Sequence, residues 1–219
     1  MPPAERSQWL GRVSYEFGLG LQQSYLDLLS EGRGEEDRLL LLEHEPVYTI
    51  GRGGDKSSLQ PGGPGWKLLP HPVVETNRGG QATYHGPGQL VGYAVVDLKN
   101  RGRDLHRHLR AIEQLVAGVC GHFGVAASIR AGLTGVWVGE RKLASIGVGV
   151  RRWISMHGFG LNVCGSLEAF NHITPCGLAG VKMTSLEEEG VSGVSVEEVA
   201  AVAAREFDQV FGAARPGTV

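Results

Sequence analysis

The chain has 219 residues, 42% of them hydrophobic and 20% charged, and a formal net charge of -2. Those values suit a globular fold with a sizeable core and exclude a global basic field of the kind that gathers nucleic acid or a membrane surface. Residues 1–12 hold no long apolar stretch and no apolar run is long enough to span a bilayer, so no signal peptide and no membrane span are expected, and the cytoplasm is the expected compartment.

In chain order, residues 17–29 place Leu21, Tyr25, Leu28 and Leu29 at spacings of three and four and predict an amphipathic helix, which the charged, glycine-bearing stretch 31–37 ends. The apolar run 39–43 predicts a buried strand, and 47–50 a second one after Pro46. Residues 51–65 are rich in glycine and proline and predict a long loop. A short strand at 72–75 leads into Arg78-Gly79-Gly80-Gln81-Ala82-Thr83-Tyr84-His85-Gly86-Pro87-Gly88-Gln89-Leu90. So much glycine cannot sit in a stable helix interior, at about 0.5–1 kcal/mol per residue. The stretch is either an ordinary surface loop or backbone brought close to a ligand, and its arginine, tyrosine and histidine favour the binding loop.

Residues 90–98 form the best strand candidate. Asp104 then offers an N-cap for a helix whose apolar face runs from Leu105 through Ile112 and Val119 to Phe123, with Gly124 to end it and Arg103, Arg107 and Arg110 on a solvated face. Residues 136–138 and 142–150 flank Gly139-Glu140-Arg141 as a hairpin. Strict alternation sets Lys142, Ala144, Ile146 and Val148 on one face and Leu143, Ser145, Gly147 and Gly149 on the other, which gives Lys142 an inward direction. Residues 153–156 and 160–163 look extended with His157 between them, Ser166 can cap a short helix reaching Asn171, and Ser195 with Glu198 forms a capping box for a last helix. Residues 213–219 are expected to fray.

The three cysteines, Cys120, Cys164 and Cys176, lack paired CxxC spacing, against both a disulfide framework and a structural zinc site. Cys120 and Cys164 read as core. Cys176 lies between Pro175 and Gly177, which deny it a helix interior and a regular strand and leave it displayed on a turn. A free thiol with a pKa of about 8.5 is only slightly ionised at neutral pH. A reacting Cys176 therefore needs a neighbour, and Lys142, His85 and His157 are the candidates. A desolvated lysine can take the thiol proton and then stabilise the thiolate as an ammonium.

The stretch from Arg78 to Leu90 resembles the signature of the lipoyl(octanoyl) transferases. Further blocks fit the same family in the same order: Glu43-His44-Glu45-Pro46, Gly135-Val136-Trp137-Val138, Lys142-Leu143-Ala144-Ser145-Ile146-Gly147, His157-Gly158 and Ile173-Thr174-Pro175-Cys176-Gly177. The resemblance covers residues 10–210. It implies a single α/β (α+β) domain over 1–219, like the catalytic domain of biotin and lipoate ligases, with a mixed, largely antiparallel sheet flanked by helices.

The reaction it implies moves an octanoyl or lipoyl group from acyl carrier protein to a lysine of lipoyl domains, those of 2-oxoacid dehydrogenases and the glycine cleavage H protein. An acyl thioester on Cys176 is the implied intermediate, with Lys142 lowering the thiol pKa and acting as acid and base. The implied substrate contacts are Arg78, Gly79, Gly80, Gln81, Ala82, Thr83, Tyr84 and His85; Ser145, Ile146 and Gly147; and Gly158, Phe159 and Gly160. No metal and no ATP are implied, in keeping with the lack of a Walker A loop. Oxyanion donors are expected from backbone N–H groups near Gly177 or Gly147. The alternative is an ATP-dependent lipoate ligase on the same scaffold, with a non-catalytic acyl-carrier-binding module as a remoter one. Acidic partners lead to a further expectation, a local basic patch drawn from Arg101, Arg103, Arg107 and Arg110 or from Arg151 and Arg152.

Overall fold

The computed structural model describes residues 6–33, 37–54, 59, 69–174 and 180–212. The predicted tail, most of the predicted loop at 51–65, and Pro175, Cys176 and Gly177 lie outside the described residues. The elements are β1 (Ser7–Val13), α1 (Tyr15–Ser30), β2 (Arg38–His44), β3 (Val47–Ile50), β4 (Val73–Glu75), β5 (Ala82–His85), β6 (Gln89–Val95), α2 (Leu105–His122), β7 (Ser128–Arg130), β8 (Leu133–Val138), β9 (Arg141–Arg151), β10 (Ile154–Asn162) and α3 (Val196–Phe211). Single 3-10 turns occupy Lys99–Arg101 and Glu168–His172, the second where a short helix was expected.

A seven-stranded sheet has the order β1-β2-β6-β10-β9-β8-β7, and a three-stranded sheet the order β4-β3-β5. Only β1 with β2 and β3 with β4 are parallel, so the sheets are mixed and largely antiparallel as expected. Helices α2 and α3 cover one face of the large sheet over a core that includes Leu90, Ile112, Leu143, Ala144, Phe159 and Phe207. Helix α1 lies on the other face, against β6 and β10. The caps are those the sequence offers: the Asp104 side chain accepts from the Arg107 amide, and Ser195 and Glu198 form the reciprocal box.

Two strands escape the sequence patterns. β1 carries few apolar residues and is interrupted at Gly11, whose φ of 66° accompanies a register shift between Trp9 and Arg12, so no alternation survives to be read. β7 has three residues. Half of the glycine-rich stretch is also not loop, because Ala82–His85 pairs with β3.

The alternation assigned to β9 needs correction. Trp137 pairs with Lys142 but Val136 pairs with Ala144, which leaves Leu143 as the extra residue of a bulge. Leu143 and Ala144 both enter the helix-side core, so Lys142 passes to the opposite face with Trp137, whose ring lies 5.3 Å from its Nζ. Lys142 is buried, as its companions suggested, but it shares its face with Ser145, Gly147 and Gly149 rather than with Ala144 and Ile146.

A second flip occurs in β10, which runs unbroken through His157 instead of stopping on either side of it. The cross-strand partner of His157 is Val148, a helix-side residue. Yet the imidazole meets Tyr93 and Asn77 on the other face. A left-handed backbone, with φ at 60°, turns the side chain over. The His157 N–H is held by Gln22 Oε1 at 2.6 Å, from the buried side of α1. Such a conformation costs a non-glycine residue about 1–2 kcal/mol and persists only where its surroundings enforce it.

Candidate active site

The α1-side face of β9, β10 and β6 forms the floor of a cavity, and the segment from Arg78 to His85 forms its roof. Of the residues expected at a binding site, Arg78, Gly80, Gln81, Thr83, His85, Ser145, Ile146, Gly147, Gly158, Phe159 and Gly160 line this one cavity. Alternation along β5 explains which members of the roof are missing: Thr83 and His85 face inward, while Ala82 and the ring of Tyr84 join a separate cluster around Tyr48 and Phe170. Gly79 serves the roof through its backbone, its N–H donating to Val148 O at 2.8 Å. A Cβ on Gly147 would stand 3.0 Å from Gly79 O, so the close approach of roof to floor depends on glycine there.

Arg78 fixes the roof. Its Nη2 donates to Thr49 O and Thr49 Oγ1, each at 2.8 Å, and its Nη1 to Gly79 O at 3.0 Å. The remaining polar groups are held neutral. His85 is pushed down to about 3, first by burial and then by the nearby His44, and His157 to about 4, by burial and then by the Arg78 guanidinium. Burial also lowers His44, whose Nδ1 faces Val13 O at 3.0 Å. A carbonyl can only accept, so Nδ1 carries the proton and Nε2 receives the Tyr93 hydroxyl at 2.6 Å. Apart from the Arg78 guanidinium, which is engaged by Thr49 and Gly79 O, the cavity is a slot of glycine backbone, neutral imidazoles and phenol rings, suited to an uncharged and mainly apolar ligand.

Sequence reasoning missed Tyr15 and Tyr93, which complete the lining with His157. Tyr15 immediately follows the Ser14 cap of α1 and stacks on His85, and its hydroxyl meets Thr76 Oγ1 at 3.2 Å. The parity of β6 could have found Tyr93, since Leu90 and Ala94 face the helices while Val91 and Tyr93 face away.

Lys142 has no exposed surface, and its Cε and Nζ would lie 2.7 and 3.3 Å from a Cβ on Gly135. Gly135 stands opposite the β9 segment around Ala144 and Ser145, so the lysine side chain runs back toward the Ser145 end of the cavity. Gly135 has φ at 132°, and its N–H donates to the buried Glu113 Oε1 at 2.9 Å. An added methyl would also meet Ala144 O at 2.7 Å. Gly135→Ala should therefore cost about 1–3 kcal/mol in urea unfolding and displace the Lys142 amine.

The backbone at Lys142 pairs with residues 182–184. Lys142 N donates to Lys182 O at 2.8 Å and Thr184 N to Lys142 O at 3.0 Å. A side-chain relay joins this strand end to the cavity: Asn162 Nδ2 donates to Thr184 O, Gln89 Nε2 to Asn162 Oδ1, and Gln89 Oε1 meets His85 Nδ1 at 2.7 Å. The other two cysteines are unsuited to nucleophilic work. Burial pushes the Cys120 thiol up to about 12, and burial with the nearby Glu187 also raises Cys164.

Of the arginines anticipated in a basic patch, two are engaged within the fold. Arg101 Nη2 is engaged by Asp37 at 2.6 Å and by Phe211 O at 2.7 Å, and Arg110 pairs with the buried Glu113. Arg103, Arg107, Arg151 and Arg152 are exposed, but they sit where β6 and β9 end, at the sheet edge away from Lys142. Among the described residues no group of three or more His, Cys, Asp or Glu could hold a metal ion, and no helix is long and apolar enough to cross a membrane.

Comparison with known proteins bears on this geometry. The family model of the lipoyl protein ligase A/B catalytic domain matches residues 14–208. The octanoyltransferase of Geobacter metallireducens is 52% identical over 177 residues, covering 81% of this chain and 79% of that protein. That of Citrifermentans bemidjiense is 48% identical over 203 residues, covering 92% and 95%. Among solved structures, a bipartite lipoate protein ligase from Thermoplasma acidophilum aligns with a TM-score of 0.71 at 18% identity, over 94% of this chain and 83% of that one. The biotin protein ligase of Aquifex aeolicus aligns at 0.58 with 13% identity, over 95% and 71%. The two solved structures share the fold.

Proposed function

This chain belongs to the octanoyltransferase family, within the lipoyl protein ligase A/B catalytic domain, and we propose that it moves an octanoyl group from acyl carrier protein to a lysine of a lipoyl domain through a thioester on Cys176. The observation that supports this reading is the gathering of Arg78, His85, Ser145, Gly147, Gly158 and Gly160 around one cavity, with the wholly buried Lys142 three residues before Ser145 on β9. In the first step the Cys176 sulfur attacks the donor's thioester carbonyl. Lys142 takes the thiol proton, and the carbon–sulfur bond to the carrier's phosphopantetheine breaks as that proton passes to the departing thiolate. In the second step the acceptor amine attacks the acyl-cysteine, an amide forms, and Lys142 relays the amine proton to the Cys176 sulfur. The exchange of thioesters is near balance and amide formation runs downhill, so the sequence needs no nucleotide.

Backbone N–H groups near Gly147 or Gly177 remain the proposed oxyanion donors, since the glycine-lined floor presents backbone to the slot. Carrier docking belongs on the Lys142 side of the sheet. From Lys142 to Arg151 is nine strand residues, about 30 Å at roughly 3.4 Å per residue. Reversing the charge of Arg151 and Arg152 should accordingly change kcat/KM for acyl carrier protein by less than about twofold; a larger drop, with weaker salt dependence, would return docking to that patch.

The test is intact-mass measurement after incubation with octanoyl acyl carrier protein and no nucleotide, followed by peptide mapping. One octanoyl adduct on the peptide containing Cys176 is expected, discharged when a lipoyl domain is added. An adduct that forms only with octanoate and ATP would assign the chain a ligase activity instead.

A further inference from the structure

The strand register of the floor works as a ruler. Ser145 pairs with Gly160 and Gly147 with Gly158, which pairs in turn with Tyr93, and the next floor position along β9 is Gly149. The His157 imidazole closes the slot there together with the Asn77 backbone: a Cβ on Gly149 would stand 3.0 Å from Asn77 O and 3.6 Å from His157 Cδ2, and the His157 ring meets Tyr93 edge to face with centroids 6.0 Å apart. Tyr93 gives its hydroxyl to His44, and His157 Nε2 donates to Asn77 Oδ1 at 2.6 Å. This end of the slot is therefore built from two rings whose hydroxyl and Nε2 are engaged elsewhere.

We propose that His157, carried onto this face by its left-handed backbone, forms with Tyr93 the end wall that limits the acyl chain to about eight carbons. This rests on the octanoyl-transfer reading, with the acyl carbonyl at the Ser145 end beside Lys142. From Ser145 to the wall over Gly149 is four strand residues, about 14 Å between Cα levels, from which the thickness of the ring is subtracted. Seven carbon–carbon bonds of about 1.5 Å zigzag to roughly 9 Å, which fills the remainder, while two further methylenes would strike the imidazole. His157 is thus placed where substrate length is measured and takes no part in proton transfer. Its position also explains the strain, since the ordinary strand conformation would send the ring into the helix-side core and leave the slot open.

The substitution His157→Gly tests this cleanly, because glycine adopts a positive φ freely and the backbone needs no rearrangement. Transfer from hexanoyl, octanoyl, decanoyl and dodecanoyl acyl carrier protein to a lipoyl domain would be measured for both proteins, with thermal unfolding alongside. The expected result is a variant that still unfolds cooperatively, at a somewhat lower Tm for the cavity left by the ring, and whose decanoyl to octanoyl ratio of kcat/KM rises at least about tenfold, one methylene in an apolar pocket being worth about ten- to two-hundredfold. His157→Asn, which also tolerates this backbone but fills less space, should fall between them. A His157→Gly protein that transfers more slowly while keeping the original length ranking would overturn the end wall and leave octanoyl transfer standing. A parent protein that transfers none of the four chains would remove the reading beneath it.

Discussion

Lys142→Met should give a folded protein that forms the acyl-enzyme about a hundred- to ten-thousandfold more slowly, the range a positioned acid–base group contributes. Methionine suits this site because Lys142 is wholly buried against the Trp137 ring, so an unbranched apolar chain of similar length keeps the packing and removes only the amine. Both half-reactions should suffer, since each sends a proton through the same nitrogen. Raising the pH should recover part of the first step, as more of the thiol ionises without help. Cys176→Ser should leave little or no transfer, because a hydroxyl is a far weaker nucleophile at neutral pH. Single-turnover acylation followed by mass measurement separates the two variants. If Lys142→Met acylated at the parent rate, the amine would be structural and the thiol would need another activator, leaving the imidazoles that line the slot, His85 and His157.

The helix ends and the family's motifs were legible in the sequence because they rest on short-range signals, whereas the antiparallel sheet and most of the cavity lining were implied only by the family resemblance. Asp104 and Ser195 announce their helices through local capping, and Gly147 and Gly160 mark close approach simply by lacking a side chain. What escaped depended on departures from regular period. The bulge at Leu143 is one residue inserted into a hairpin, and it moves Lys142 to the other face of β9, which no count of alternate residues detects. His157 is the second case, where a single backbone angle reverses a side chain inside an unbroken strand. Such left-handed positions are uncommon for residues other than glycine, and here the enforcing contact comes from Gln22, on a helix far away in sequence. Tyr15 was hidden for a related reason: it meets His85 only once α1 is laid across the sheet.

Acid should unfold this protein earlier than its modest net charge suggests, and three buried histidines, two of them in the slot, are a cause. His157 and His108 are held down to about 4 by burial, with Arg78 and Arg101 respectively opposing their protonation, and His85 is held to about 3. In the unfolded chain each takes up a proton near pH 6.5. Below that pH the unfolded state therefore binds more protons than the native one, and stability falls as pH drops from 6.5 toward 4. Above pH 6.5 the contribution is fully present. Each site adds a slope of about 1.4 kcal/mol per pH unit, so three together reach roughly 4 kcal/mol per unit, against a total stability of about 5–15 kcal/mol. Urea midpoints should be level between pH 8 and 7 and fall steeply between pH 6 and 5. His108 provides the control, because it lies beside Phe211, away from the cavity, and neither ring nitrogen has a hydrogen-bond partner. His108→Leu should lessen the slope by about one proton and raise stability at pH 5, without altering transfer at pH 7.5. An unchanged midpoint down to pH 5 in the parent protein would mean that these imidazoles protonate in place, and the slot would then have to be treated as a cationic one.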